Sequence, residues 1–234
     1  MNHFFVDPKH IEREQVRFPS DLSHQINRVL RLKVDDHVIV LDNSGKQFEV
    51  QLLKVDSQGC VGEILIEKDN IAEPTNVLHL FVAFTQREKF EWILQKCCEL
   101  GVQKFTPILS ERTVVTSMKD FSKKKDRWEK ILKEASEQSR RGKIPELHEP
   151  MPFNRAVSTQ GEHKLIAWEN EENLKVDDIL KNPQGSQVFL MIGPEGGFSQ
   201  QEVEIAKRND WLPISLGKRI LRMETAAVVA TTLI

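Results

Sequence analysis

Cysteine is scarce: Cys60 and the adjacent Cys97 and Cys98 are the only three in 234 residues, too few and too awkwardly spaced for a disulfide framework or a zinc cluster. They read as buried filler. Long apolar runs are missing too. The longest, 188–192 and 226–234, fall far short of a membrane span, and no basic segment followed by an apolar core opens the chain. These absences point to a cytoplasmic protein with no membrane-spanning part. The seven histidines (3, 10, 24, 37, 79, 148, 163) include no helical two-histidine ligand pair, so no metal is expected. A strong charge of one sign is also absent: the formal net charge of -2 argues against a generic nucleic-acid binder.

What is present is a core and a pattern. A hydrophobic content of 39% over this length supports one large or two modest domains. The charges are uneven. From Lys119 to Lys143 ten Lys/Arg face five Asp/Glu, whereas from Ile144 to Asp178 eight acids face three bases. The first stretch suits phosphate tracking as well as it suits a solvated helix face.

Residues 1–71 read as a small β-barrel. Segments 3–6, 38–41, 47–55 and 60–66 are β-branched and apolar, and they are punctuated by the turns Asp42-Asn43-Ser44-Gly45 and Asp56-Ser57-Gln58-Gly59. A helical interruption at 20–31 puts Ile26, Val29 and Leu30 on one face and Arg28 and Arg31 near another. Residues 72–76 read as a linker. From 77 to 234 strands alternate with helices, with buried parallel strands expected at 79–84, 105–109, 165–168, 188–192 and 212–216. The clearest helix, 87–100, carries Phe90, Ile93, Leu94, Cys97 and Cys98 on one side and ends at Gly101. Another has Trp128, Ile131, Leu132 and Ala135 on one side. An open α/β sheet binds ligands at the carboxyl ends of its strands, so function is expected in the loops that follow them.

Two late loops stand out. Ile192 leads into Gly193-Pro194-Glu195-Gly196-Gly197-Phe198 and then a capping box, Ser199 to Glu202. Its glycines let backbone approach a ligand closely. The loop matches neither the dinucleotide fingerprint nor a phosphate loop, which weighs against a nucleotide-dependent oxidoreductase or kinase. The second loop runs Leu216-Gly217-Lys218-Arg219-Ile220-Leu221-Arg222-Met223-Glu224-Thr225-Ala226. In it Ile220 and Leu221 could wall an adenine or simply anchor the last helix.

Together these two strings, with Glu99-Leu100-Gly101-Val102, Ser110-Glu111-Arg112, Glu137-Gln138-Ser139 with Arg141 and Pro145, and the 24–31 segment, resemble the ribosomal small-subunit methyltransferase E family across nearly the whole chain. The resemblance implies a SPOUT-type α/β domain with a parallel sheet and a C-terminal trefoil knot, plus an N-terminal PUA-like barrel. It further implies a homodimer, S-adenosyl-L-methionine as cofactor, and methylation of uridine N3 in 16S ribosomal RNA, with another RNA base or a non-catalytic RNA-binding role as alternatives. The sequence ends at Ile234, inside what the family pattern makes a longer terminal helix.

On this reading Ile192, Gly193, Pro194, Glu195, Gly196, Gly197, Leu216, Gly217, Ile220, Leu221 and Arg222 hold the cofactor. Arg112, Arg222 and Glu224 are the catalytic candidates, because N3 must lose a proton and the resulting anion needs a cation beside it. The competing reading pairs Arg222 with Glu224 and Arg112 with Glu111 as structural ties. Arg17, Arg28, Arg31, Arg140, Arg141 and Lys143 are the candidate phosphate contacts.

Overall fold

A computed structural model describes residues 1–56, 58–114, 121–180 and 185–234. Ser57 of the second expected turn and Lys119 at the head of the basic stretch lie outside the described residues. The chain forms two compact units, Met1–Glu73 with Ser136–Ile144, and Pro74–Ala135 with Pro145–Ile234.

The first unit is built on six strands: β1 (His3–Phe5), β2 (Ile11–Glu12), β3 (Gln15–Phe18), β4 (His37–Leu41), β5 (Lys46–Asp56) and β6 (Gly59–Asp69). Their order is β1-β4-β5-β6-β3-β2, with β1 parallel to β4 and the other pairs antiparallel. The alternation of β3 puts Val16 and Phe18 into a core with Phe4, Val38, Val50, Leu52 and Ile26, while Arg17 faces out. The short β2 and β3 were not anticipated; they lie in a stretch dominated by charged residues.

The helical interruption starts as an α-helix, Ser20–His24, and widens to a π turn over Gln25–Val29, where the Leu30 N–H bonds the Gln25 carbonyl at 2.9 Å. The wider turn shifts the expected apolar face. Ile26 is fully buried, but Val29 is 65% exposed and Leu30 37%. Arg31 then ends the turn in the left-handed region at φ 54°.

Segment 136–144 joins this unit through specific bonds. The Phe5 N–H donates to Glu137 Oε1 at 2.9 Å, Asn70 Nδ2 to the Arg140 carbonyl at 3.0 Å, and the Ile144 N–H to Asn43 Oδ1 at 2.7 Å. Ile144 also packs on Phe5, Ile39 and Leu41.

The second unit holds a seven-stranded sheet: β7 (Val77–Ala83), β8 (Lys104–Leu109), β9 (Glu146–Leu147), β10 (Met151–Pro152), β11 (His163–Ala167), β12 (Gln187–Ile192) and β13 (Leu212–Ile214). The order is β10-β8-β7-β12-β11-β13, with β9 beside β8, and every pair is parallel. The expected parallel α/β sheet and the separate barrel-like sheet are therefore both present. Parallel strands covered on both faces need apolar side chains on each, which is why β7 and β12 read as continuous hydrophobic runs.

The helix Arg87–Glu99 buries Phe90, Ile93, Leu94, Cys97 and Cys98, the first three each contributing roughly 1.5–3 kcal/mol by removal of apolar surface from water. It stops at Gly101, whose φ of 100° suits a residue without Cβ and whose N–H bonds the Cys98 carbonyl at 3.0 Å. Phe84, Phe90, Phe121 and Trp128 then pack edge to face, fixing the segment just after β7.

Candidate active site

The carboxyl ends of β7, β8, β11, β12 and β13 lie at one edge of the sheet, and the two loops singled out from the sequence follow β12 and β13. The Gly-rich loop is positioned by the helix behind it, Gln200–Arg208. Ser199 Oγ accepts the Glu202 N–H at 3.2 Å and the Ser199 N–H donates to Glu202 Oε2 at 2.9 Å, so the expected capping box is formed. The other oxygen of the buried Glu202 accepts the Glu111 N–H at 2.8 Å, which ties the loop after β8 to the start of this helix.

Each part of the loop touches a different element. Glu195 Oε1 accepts from Thr85 Oγ1 at 2.7 Å and from Lys89 Nζ at 2.8 Å. Arg112 Nη1 donates to the Gly196 carbonyl at 2.6 Å. A Cβ on Gly196 would lie 3.3 Å from Arg112 Cδ, and one on Gly197 would collide with the Glu169 carboxylate. Gly197 also sits at φ 67°, a backbone conformation that favours glycine, whereas the flexible Glu169 carboxylate could swing away from a side chain.

Partial burial opposes ionisation of Glu195, but the hydrogen bonds from Lys89 and Thr85 outweigh it and hold the carboxyl below the usual range. Lys89 is raised in turn, first by its hydrogen bond to Glu195 against some desolvation, then by the charges of Glu195 and Glu224, with Arg222 opposing. Lys89 is thus in the field of the loop after β12 and of the start of the last helix.

That helix, Met223–Thr232, begins at Arg222, an extended residue whose side chain makes no cap. Glu224 lies in its first turn, where a carboxylate is favoured by the helix dipole. Glu224 Oε2 is buried and has no hydrogen-bond partner among the described residues. Such an oxygen is costly unless something else donates to it. Neither the Arg222–Glu224 pair nor the Arg112–Glu111 pair occurs among the described residues; Arg112 bonds the Gly196 carbonyl instead.

The loop before Arg222 is open. Gly217 has φ 104° with nothing within 4 Å of a Cβ built there, and Ile220 is 88% exposed. Among the described residues no group of three or more His, Cys, Asp or Glu side chains could hold a metal ion.

Residues 72–234 match the RNA methyltransferase domain family. The chain is similar to the ribosomal RNA small subunit methyltransferase E of Synechocystis, 33% identical with 96% of this chain and 74% of that one covered. It is also 33% identical to the Bacillus subtilis protein of the same name, covering 90% and 86%. The chain belongs to the ribosomal RNA small subunit methyltransferase E family. A crystal structure of a member from Neisseria gonorrhoeae, bound to S-adenosyl methionine, superposes with a TM-score of 0.88 at 30% identity, covering 99% of this chain and 95% of that one.

Family membership makes the chain an S-adenosylmethionine-dependent methyltransferase. The structure then adds residues the sequence reading missed. Thr85, Lys89 and Glu169 come from three elements outside both motifs. The only signal for the first two was their position just after a buried strand, where Phe84-Thr85-Gln86-Arg87 had no recognisable ligand motif.

Of the expected phosphate contacts, Arg17, Arg28, Arg31, Arg140 and Lys143 are exposed. Arg141 is not. It is 2% exposed and pairs with Glu73 through Nε at 3.2 Å and Nη2 at 2.9 Å, while the Lys143 N–H donates to the same carboxylate at 3.1 Å. A guanidinium so committed anchors segment 136–144 and does not reach phosphate.

Among the described residues no helix is long and apolar enough to cross a membrane.

Proposed function

We propose that this chain methylates N3 of a uridine in 16S RNA of the small ribosomal subunit, acting in the cytoplasm as a homodimer on an assembled or nearly assembled particle. The observation that carries the chemistry is the unpartnered Glu224 oxygen, set in a charge cluster with Lys89, Arg222 and the Glu195 loop.

The residues fit S-adenosylmethionine. Gly196 and Gly197 carry no side chains, so the Arg112 and Glu169 side chains approach the loop's backbone closely and a ligand could do the same. Opposite properties mark the second loop, where space around Gly217 and the bare Ile220 side chain offer an apolar wall for an adenine. Residues 192–197 would hold the cofactor with Leu216, Gly217, Ile220, Leu221 and Arg222. In keeping with the family, the C-terminal part is read as threaded into a trefoil knot, which would bring these loops together.

Bound there, S-adenosylmethionine supplies a methyl group already activated by its sulfonium. The chain's own work is alignment and proton removal. Uridine N3 carries a proton on the pairing edge, so the base must leave its stack. Glu224 Oε2 is the acceptor for that proton. Arg222, and Arg112 across the Gly-rich loop, are the cations for negative charge developing on the flanking carbonyl oxygens. Lys89 and Thr85 hold Glu195, and with it the loop, in one position. Phosphate contacts fall to Arg17, Arg28, Arg31, Arg140 and Lys143, all in the first unit.

The test is labelled-methyl transfer to small-subunit RNA by Glu224→Gln and Arg222→Ala, with cofactor affinity measured by calorimetry. Loss of about 10²–10⁴-fold in transfer by Glu224→Gln at unchanged affinity is expected for a general base. Arg222→Ala should lose more in transfer than in cofactor affinity, since Arg222 both lines the cofactor site and faces the developing anion. Full transfer by Glu224→Gln removes it from the mechanism, and lost cofactor binding in Arg222→Ala would make Arg222 a pocket residue only.

A further inference from the structure

The two loops start from strands that are not neighbours, β12 and β13. The strand order puts β11 between them, in register with both: Ile166 is opposite Met191 on one side and Pro213 on the other. The carboxyl end of β11 therefore lies between the roots of the two loops, within reach of a ligand gripped by both. The first residues beyond that end are Trp168 and Glu169.

Both are unusual. The Trp168 backbone is fixed at the root of the second loop, its N–H donating to the Ile214 carbonyl at 3.2 Å, yet its indole Nε1 is buried with no partner among the described residues. Lys207 Nζ lies 5.6 Å from the centre of the ring. Glu169 reaches the first loop: a Cβ on Gly197 would sit 2.9 Å from its carboxyl carbon. Among the described residues this exposed carboxylate has neither an ion pair nor a hydrogen bond.

Two other acids around the Gly-rich loop are already held. Glu195 is held by Thr85 and Lys89, and Glu202 by the Ser199 and Glu111 amides. Glu224 belongs to the last helix and to the proton. A cofactor that carries an ammonium and a sulfonium against one carboxylate is net positive, and a protein anion favours it. Of its two cations only the ammonium has N–H groups to donate to a carboxylate.

We propose that Glu169 binds the ammonium of the cofactor's methionyl part, with Trp168 as the floor of that subsite. The assignment rests on the reading that both loops hold the cofactor. It makes the strand between the loops the third wall of the site, and it gives Gly197 a second reason to lack a side chain: a Cβ there would push the carboxylate away.

Calorimetry on wild type and Glu169→Gln with two ligands tests it: S-adenosylmethionine, and 5′-methylthioadenosine, which lacks the amino-acid part. Glu169→Gln should weaken S-adenosylmethionine about tenfold, the size of one charged hydrogen bond, and leave methylthioadenosine unchanged. Unchanged affinity for S-adenosylmethionine overturns the proposal, and so does an equal loss for both ligands, which would mean a distorted loop. Hydrogen exchange of wild type with S-adenosylmethionine separates the two levels. Protection of 193–198 and 216–222 alongside an inert Glu169→Gln sinks only the Glu169 assignment, whereas no protection of either loop sinks the reading of the loops as well.

Discussion

Acidification should destabilise this protein through one buried histidine. His79, near the start of β7, is 6% exposed, stacks on Phe81 at 4.1 Å and meets the Phe189 ring edge-on at 5.2 Å. Its Nε2 lies 2.7 Å from Thr106 Oγ1, which lies 3.2 Å from His148 Nδ1, and His148 Nε2 is 3.0 Å from Glu146 Oε2. Burial foremost, then the charges of His148 and Lys104, push the imidazole pKa from 6.5 down to about 3. The unfolded chain therefore binds a proton that the folded chain refuses. Stability from the neutral ring is fully present above pH 6.5 and is lost as pH falls from there toward 3. Between pH 7.5 and pH 5.0 the linkage relation gives a loss of about 2 kcal/mol. Urea unfolding of wild type and His79→Gln at those two values isolates it, since every other titrating group is common to both proteins. The variant starts less stable, because Thr106 loses part of its partner, but should lose about 2 kcal/mol less on acidification. Equal losses in the two proteins would refute the reasoning, because His79 would then accept its proton inside the fold at an ordinary pH.

Two further outcomes follow from the ion pairs and the exposed arginines. Arg141→Ala should cost roughly 3–5 kcal/mol in urea unfolding, since it strands the Glu73 carboxylate where water is largely excluded; reduced RNA affinity at unchanged stability would return Arg141 to the RNA-contact set. The double variant Arg28→Ala, Arg31→Ala should lower the slope of log affinity for RNA against log salt by roughly 1.4–1.8, two counterions' worth, while cofactor affinity stays the same. An unchanged slope would place RNA elsewhere on the first unit.

Periodicity made most of the second unit legible. Buried parallel strands must be apolar on both faces, so β7, β8, β11, β12 and β13 stand out in the sequence to within two residues of their ends. The helix Arg87–Glu99 does too, because five apolar side chains fall on one stripe before a glycine. Two-residue strands such as β9 and β10 carry no period at all, and β3 is hidden because its outward residues, Gln15 and Arg17, are as polar as a loop. The π turn at Gln25–Val29 is a local change of pitch that apolar spacing assumes away, which is why Val29 and Leu30 were expected inside and lie outside.

The same division holds for the site. The two loops announce themselves by glycine and by an improbable string of Arg, Ile, Leu and Glu. Contacts made by residues from other elements do not. Thr85 and Lys89 meet Glu195 across more than 100 residues, and Glu169 meets Gly197, only because β7 and β11 flank β12. Arg141 was misread for the opposite reason. A basic cluster looks solvated in sequence, and only the fold reveals that Glu73 has drawn one of its members inside.

The measurement that tests the central proposal most directly is transfer of labelled methyl from S-adenosylmethionine to small-subunit particles and to naked 16S RNA, followed by nuclease digestion and mass spectrometry of the nucleosides. The label should appear in 3-methyluridine, and more in particles than in naked RNA. Label in any other nucleoside, or none in either substrate by protein that binds the cofactor, would contradict it.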